Sequence, residues 1–303
     1  MATANSHVPD TGHYYVPHGS PWPIVAAVAL FLLMVGAILY LDDVTGAWSL
    51  LIGPVALLFM FGGWFHTVIG ENQLGIYNDQ VDRSFRMGMM WFIFSEVMFF
   101  AAFFGALFYA RILAVPWLGG AGYRALTNLI LWPHFEAAWP TNGPGHVGGE
   151  SFQSMSAYGI AAINTLILLT SGLTVTIAHH ALRAGHRGRL KLFLALTFIL
   201  GFCFVALQAH EYYDAYTKLN LRLTTGIYGS TFFMLTGFHG LHVTIGAIML
   251  VVVWLRVLRG HFTPRQHFAF EAVAWYWHFV DVVWLFLFTT IYVWGGWGAT
   301  PHG

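Results

Sequence analysis

The side chains best suited to chemistry in this sequence are a few acids and histidines set in apolar runs. Glu96 stands in "WFIFSEVMFF" (91–100), where a serine is its only polar neighbour. "GFHGLH" (237–242) holds His239 and His242, and "WYWHFVD" (275–281) holds His278 and Asp281, each pair three residues apart. Residues at that spacing meet on one helix face. His179 and His180 are adjacent, and His210 lies in a further apolar stretch. Two histidines on one face can ligate copper, zinc or haem iron, but a helical metal site needs further ligands and supporting groups. Neither HExxH nor CxxC occurs. Histidines hydrogen-bonded between helices are therefore expected, and no metal is assigned to the chain. For His278 and Asp281 a mutual hydrogen bond is expected, since it makes burying both less costly.

What surrounds these residues follows from composition. Of 303 residues, 57% are hydrophobic and 9% charged, against about 25% charged in soluble domains. No folded core hides that much apolar surface, so lipid is part of the solvent. Thirteen Lys and Arg balance thirteen Asp and Glu, which suggests no nucleic acid or other acidic partner. The one cysteine, Cys203, rules out a disulfide framework or a cysteine metal site. Residues 1–20 lack the form of a cleavable signal peptide, so the first membrane helix is expected to direct insertion.

A membrane helix needs about 20 apolar residues, and seven stretches qualify. They run roughly from Trp22 to Leu41, Trp48 to Gly70, Phe85 to Leu113, Met155 to Leu182, Leu190 to Tyr212, Ile227 to Leu258 and Phe268 to Trp297. The expected organisation is a tail over 1–20, two spans within 21–70, and five spans within 71–303 with a long outer loop at 114–152. With the N-terminus inside, nine basic residues fall on the inner side (Arg83, Arg86, Arg183, Arg187, Arg189, Lys191, Arg256, Arg259, Arg265) and four outside (Arg111, Arg124, Lys218, Arg222). That asymmetry favours a cytoplasmic N-terminus and an outer C-terminus. Trp22, Trp48, Trp294 and Trp297 are expected as interfacial anchors. Small residues at Ala101, Ala102, Gly105 and Ala106 predict close approach of another helix to the third span.

Glu96 lies ten residues past Arg86, about 15 Å along a helix and near the bilayer midplane. A carboxyl at that depth is expected to carry its proton. Two readings stand: a hydrogen bond tying helices together, or a role in proton movement or a lipid cleft. His242 and His210 are its candidate partners. At the inner end, Glu71, Arg83, Arg86, Arg256, Arg259 and His261 read either as helix anchors or as a pocket for an anionic lipid head group.

"FSEVMFF", "YGSTFF" (228–233), "GFHGLHV" and "FEAVAWYWHFVDVVWLFLF", in that order, resemble subunit III of the haem-copper cytochrome c oxidases over Pro21 to Trp297. The resemblance implies an all-α membrane fold of seven helices, the first two splayed from the other five by a lipid-filled cleft. It implies no redox cofactor in this chain, bound phospholipid, and partners in subunit I, which carries haems and copper, and subunit II. The complex would pass electrons from cytochrome c to oxygen and pump protons, with this subunit aiding proton uptake and stability. Glu96 matches the family's intramembrane glutamate, and Glu71, Arg256 and His261 match the head-group end of the cleft. Trp64 stands where a cleft aromatic is expected. Gly70 replaces an arginine of mitochondrial relatives, and Tyr77 and Asn78 replace histidines, so the head-group site is expected to be less basic. The length of 114–152 suggests a bacterial chain in the inner membrane. A quinol oxidase subunit III is the nearest alternative, although such subunits commonly lack the first two helices. A transporter is a more distant alternative, since no internal repeat is visible.

Overall fold

In the computed structural model the described residues are 19–149 and 151–296. Nearly all of the expected tail, and Trp297 at the expected end of the last span, lie outside them. The seven expected apolar stretches are helices long enough to cross a membrane, and no strand occurs among the described residues. A helix whose apolar residues run all round it must lie in a core or in lipid, and the same runs that exclude water supply every backbone partner internally.

The chain divides into two compact units, Met1–Gly88 and Met89–Gly303. In the first, α1 (Trp22–Leu41) and α2 (Ser49–Gln73) form an antiparallel hairpin. Ser49 Oγ donates to the Gly36 carbonyl at 2.9 Å, and Trp22 Nε1 donates to Thr67 Oγ1 at 3.1 Å. Trp22, expected as an anchor, is thus also a rivet between the two helices. A Cβ at Gly53 would overlap the Leu33 backbone, so the crossing needs glycine there.

The third helix, α3 (Asp79–Phe108), starts in the first unit and ends in the second. It begins six residues before the expected Phe85, because Asp79 and Asp82 in its first turn suit the positive end of the helix dipole. A π-helical turn, Tyr109–Ala114, carries it into α4 (Val115–Leu118). Much of the segment read as an outer loop is structured: α5 (Ala125–Leu131) follows, and Trp139 packs edge-on against Tyr228 at 5.7 Å.

The second unit is a closed ring of four helices, with α6 (Ile160–Arg183) on α7 (Arg187–Thr217), α7 on α8 (Gly226–Leu258), α8 on α9 (Phe268–Leu287), and α9 back on α6. A second π-helical turn, Phe288–Val293, ends α9. The fourth span starts at Ile160 and not near Met155, since Gly159 at φ 135° breaks the helix before it. Trp277 plugs the ring. It is fully buried, its Nε1 donates to Ser171 Oγ at 2.9 Å, and its ring lies where a Cβ on Gly201 or Gly246 would sit. From Met89 onward α3 lies against α8 and α9 through aromatic rings, with Phe99 edge-on to Phe238 at 5.0 Å and Phe92 stacked on Tyr276 at 6.2 Å.

Within the second unit no helix makes the close approach that the small residues of α3 predict. Ala101, Ala102, Gly105 and Ala106 are exposed, and nothing lies within 4 Å of a Cβ at Gly105. Tight contacts of the second unit include Gly201 and Gly246, where a buried indole needs the space.

Candidate functional site

Glu96 and His242 meet inside the second unit. Glu96 Oε2 is 2.9 Å from His242 Nε2, and the side chains are 21% and 12% exposed, enough burial to make an unpaired charge costly. The other imidazole nitrogen, Nδ1, lies 2.6 Å from the Phe238 carbonyl one turn back on α8. A carbonyl only accepts, so Nδ1 carries a hydrogen. A second proton then sits between Nε2 and the carboxyl oxygen. Phe100 at 5.0 Å and Phe279 at 6.5 Å stand edge-on to the imidazole, and Tyr276 stacks on it at 6.4 Å. Of the two candidate partners for Glu96, the fold selects His242; His210 is exposed on α7.

His239, three residues from His242, is fully buried and separately engaged. Its Nε2 donates to the Val280 carbonyl at 3.2 Å, and its ring packs against Trp284 at 5.2 Å and Phe204 at 5.6 Å. His278 and Asp281 share a face as expected, but their separation of 3.6 Å is beyond hydrogen-bond length. His278 Nε2 pairs with Thr176 Oγ1 on α6 at 3.2 Å instead. Asp281 Oδ2 occupies the space a side chain on Gly172 would fill.

One buried acid is absent from the candidates that spacing singles out. Glu211 on α7 is 2% exposed and accepts a hydrogen bond from Tyr292 Oη at 3.0 Å. Its neighbour Tyr212 bonds Thr236 Oγ1 at 2.7 Å, which links α7, α8 and the end of α9. A span ending at Tyr212 would put Glu211 at an interface; α7 runs on to Thr217 and carries it inside.

The residues assigned to lipid fall in both units. In the first, Trp64 is 45% exposed and stacks on Phe65, and Glu71 accepts a hydrogen bond from Tyr77 Oη. Tyr77 stands where a histidine is expected in relatives, so here a neutral donor engages the acid. In the second, Arg256 lies in the last turn of α8 with its guanidinium 4.5 Å above the Phe262 ring and its Nε buried without a partner. His261 lies just beyond, its pKa lowered from the usual 6.5, first by desolvation and then by the charges of Arg256 and Arg259. At the far end of the same unit, Arg111 in the π-helical turn lies 3.8 Å over the Trp294 ring and donates to the Trp294 carbonyl. Trp294 is thus a clasp for the two π-helical turns, besides any anchoring role.

Histidines 179 and 267 and Glu271 form a further cluster, each offering a donor atom within 4.8 Å of the others. Nothing in their spacing along the chain marks them as a set, since α6 and α9 bring them together from 88 and 92 residues apart (267 − 179 and 271 − 179).

Residues 12–296 match the protein family described as cytochrome c oxidase subunit III. The chain is similar to proteins named cytochrome c oxidase subunit 3. It is 40% identical over 283 residues to that of Carassius auratus, covering 93% of this chain and 97% of the relative. The figures are 41% over 283 residues, again 93% and 97%, for Gadus morhua. For Prototheca wickerhamii they are 40% over 285 residues, covering 93% and 98%.

Proposed function

Because this chain belongs to the cytochrome c oxidase subunit III family, we propose that it is a non-catalytic, phospholipid-binding member of a proton-pumping terminal oxidase that aids proton uptake by the catalytic subunit. Membership of the family places it in an oxidase complex with other subunits, and its seven spans make it a multi-pass membrane protein.

The observation that carries the proposal is how little of α1 and α2 their own hairpin covers. The apolar windows of α1 and α2 are each only 11% buried, against 50% for the last span. Such surface needs lipid tails or a neighbouring membrane subunit against it. The second unit is closed and densely aromatic, suited to a fixed wedge beside larger partners, subunits I and II, which would hold the haems and copper. Two of its inward acids are paired across helices, Glu96 with His242 and Glu211 with Tyr292. Such pairing suits a structural role.

Phospholipid is assigned to Trp64 and Glu71 in the first unit and to Arg256 and His261 in the second. A buried cation at a helix end and an exposed indole suit a head group and its glycerol region. Nine inner against four outer basic residues support a cytoplasmic N-terminus. The long 114–152 segment supports a bacterial inner membrane, although the three relatives are eukaryotic.

The test is to tag the chain, extract it in mild detergent, and identify what accompanies it. Two larger membrane subunits with haem and copper, and phospholipid that falls on Arg256→Gln, are expected. Recovery of a homo-oligomer free of haem would overturn the proposal.

A further inference from the structure

The His179, His267 and Glu271 cluster has no part in the lipid sites or in the Glu96 and His242 pair. His179 stands one turn before the end of α6, four residues ahead of Arg183. His267 is the residue that opens α9, and Glu271 lies one turn into that helix. The backbone amides of Phe270 and Glu271 both bond the His267 carbonyl, at 2.9 and 3.1 Å, which fixes the spacing of the two α9 donors. The two imidazoles are 5.5 Å apart between ring centroids. Each has a buried nitrogen without a hydrogen-bond partner: Nε2 of His179 and Nδ1 of His267. Two orphaned imidazole nitrogens beside a carboxylate are costly in a bare protein and are what a borderline cation binds.

We propose that His179, His267 and Glu271 bind a divalent transition-metal cation of the zinc class, which ties the end of α6 to the start of α9. The donor set is two nitrogens and one oxygen, suited to Zn²⁺ and unsuited to Mg²⁺ or Ca²⁺, which take oxygen ligands. In a tetrahedral site with bonds near 2.0–2.1 Å, donors stand about 3.3 Å apart. The present limit of 4.8 Å therefore closes by about 1.5 Å on binding, within reach of imidazole rotation. Water completes the shell. His180, exposed on the neighbouring face of α6, takes no part.

The experiment uses the assembled oxidase, washed with chelator, titrated with micromolar ZnCl₂ and desalted before zinc is counted by mass spectrometry. The parent complex is expected to hold one zinc more than each of His179→Gln, His267→Gln and Glu271→Gln, while His180→Gln keeps the parent count. Glu271→His restores a ligand and is expected to bind again, which separates loss of a ligand from loss of the fold. Zinc is also expected to raise the melting temperature of the parent and of Glu271→His, but not of the three Gln variants. Equal zinc in the parent and the His267→Gln complex, or as large a loss in His180→Gln as in His179→Gln, overturns the proposal. If the Gln variants do not assemble, X-ray absorption of the parent decides, with two imidazoles in the zinc shell supporting the site and none overturning it.

Discussion

Glu96 on α3 and His242 on α8 share one hydrogen bond of 2.9 Å, and the histidine's other nitrogen is already committed to the Phe238 carbonyl. His242 Nε2 is therefore the imidazole nitrogen left to pair with the acid. This sets which replacements the position tolerates. Glutamine at 96 can donate an N–H to Nε2, so Glu96→Gln is expected to leave assembly intact and oxygen consumption of the complex within roughly twofold. Leucine leaves Nε2 buried and unpaired. Glu96→Leu is expected to cost about 1 kcal/mol, seen as a melting temperature lower by a few degrees. Loss of oxygen consumption in the Gln variant would instead assign Glu96 to a proton path.

Trp277 sets a second expectation, since its indole fills the gap that Gly201 and Gly246 leave on α7 and α8. A methyl group at either glycine must displace a ring that is fully buried and tethered to Ser171. Gly201→Ala and Gly246→Ala are each expected to destabilise the bundle by about 1–3 kcal/mol. Gly105→Ala, on the open face of α3, serves as the control within this chain and is expected to change the isolated chain's melting temperature little. A Gly201→Ala chain that melts with the parent would show that the ring yields without strain.

Both cases separate what is legible in the sequence from what is not. The spans are legible because a run of about 20 apolar residues fits little except a helix in lipid. That Glu96 needs a partner is legible from its apolar neighbours. The choice of His242 over His210 is not, because spacing within a helix says nothing of which helices face each other. A local pattern of small residues predicts close approach at Ala101 and Gly105. Within the second unit it occurs at Gly201 and Gly246, which lie on different helices and both meet Trp277. Glu211 escapes notice for a third reason. Its apolar run stops at a tyrosine, and polar residues near such a boundary are ordinarily read as solvated.

Arg111 joins the two π-helical turns by stacking on the Trp294 ring and donating to its carbonyl. Both contacts use the flat guanidinium, which lysine lacks although it keeps the charge. Arg111→Lys is expected to cost about 0.5–2 kcal/mol locally. The sign to look for is faster amide exchange over residues 288–296, where Trp294 N–H bonds the Thr289 carbonyl, with α7 unchanged. Unaltered exchange there would mean that α9 ends as it does without the clasp.

His261 makes the last expectation one of pH. Desolvation first, then Arg256 and Arg259, hold its pKa below the usual 6.5 in the folded chain. An unfolded chain therefore takes up the proton more readily, and protonation favours unfolding. The contribution of His261 to stability is full above about pH 6.5 and is lost as the pH falls through the lower, folded value. Melting the delipidated complex from about pH 7.5 down to pH 5 should show parent and His261→Gln running parallel above about 6.5. Below it the parent should fall more steeply. Arg259→Gln removes one like charge and should make that fall shallower, since it lets the folded histidine accept its proton more easily. A parent curve that instead diverges from His261→Gln above pH 6.5 would mean that the site favours the imidazolium, as a bound anionic head group would make it do.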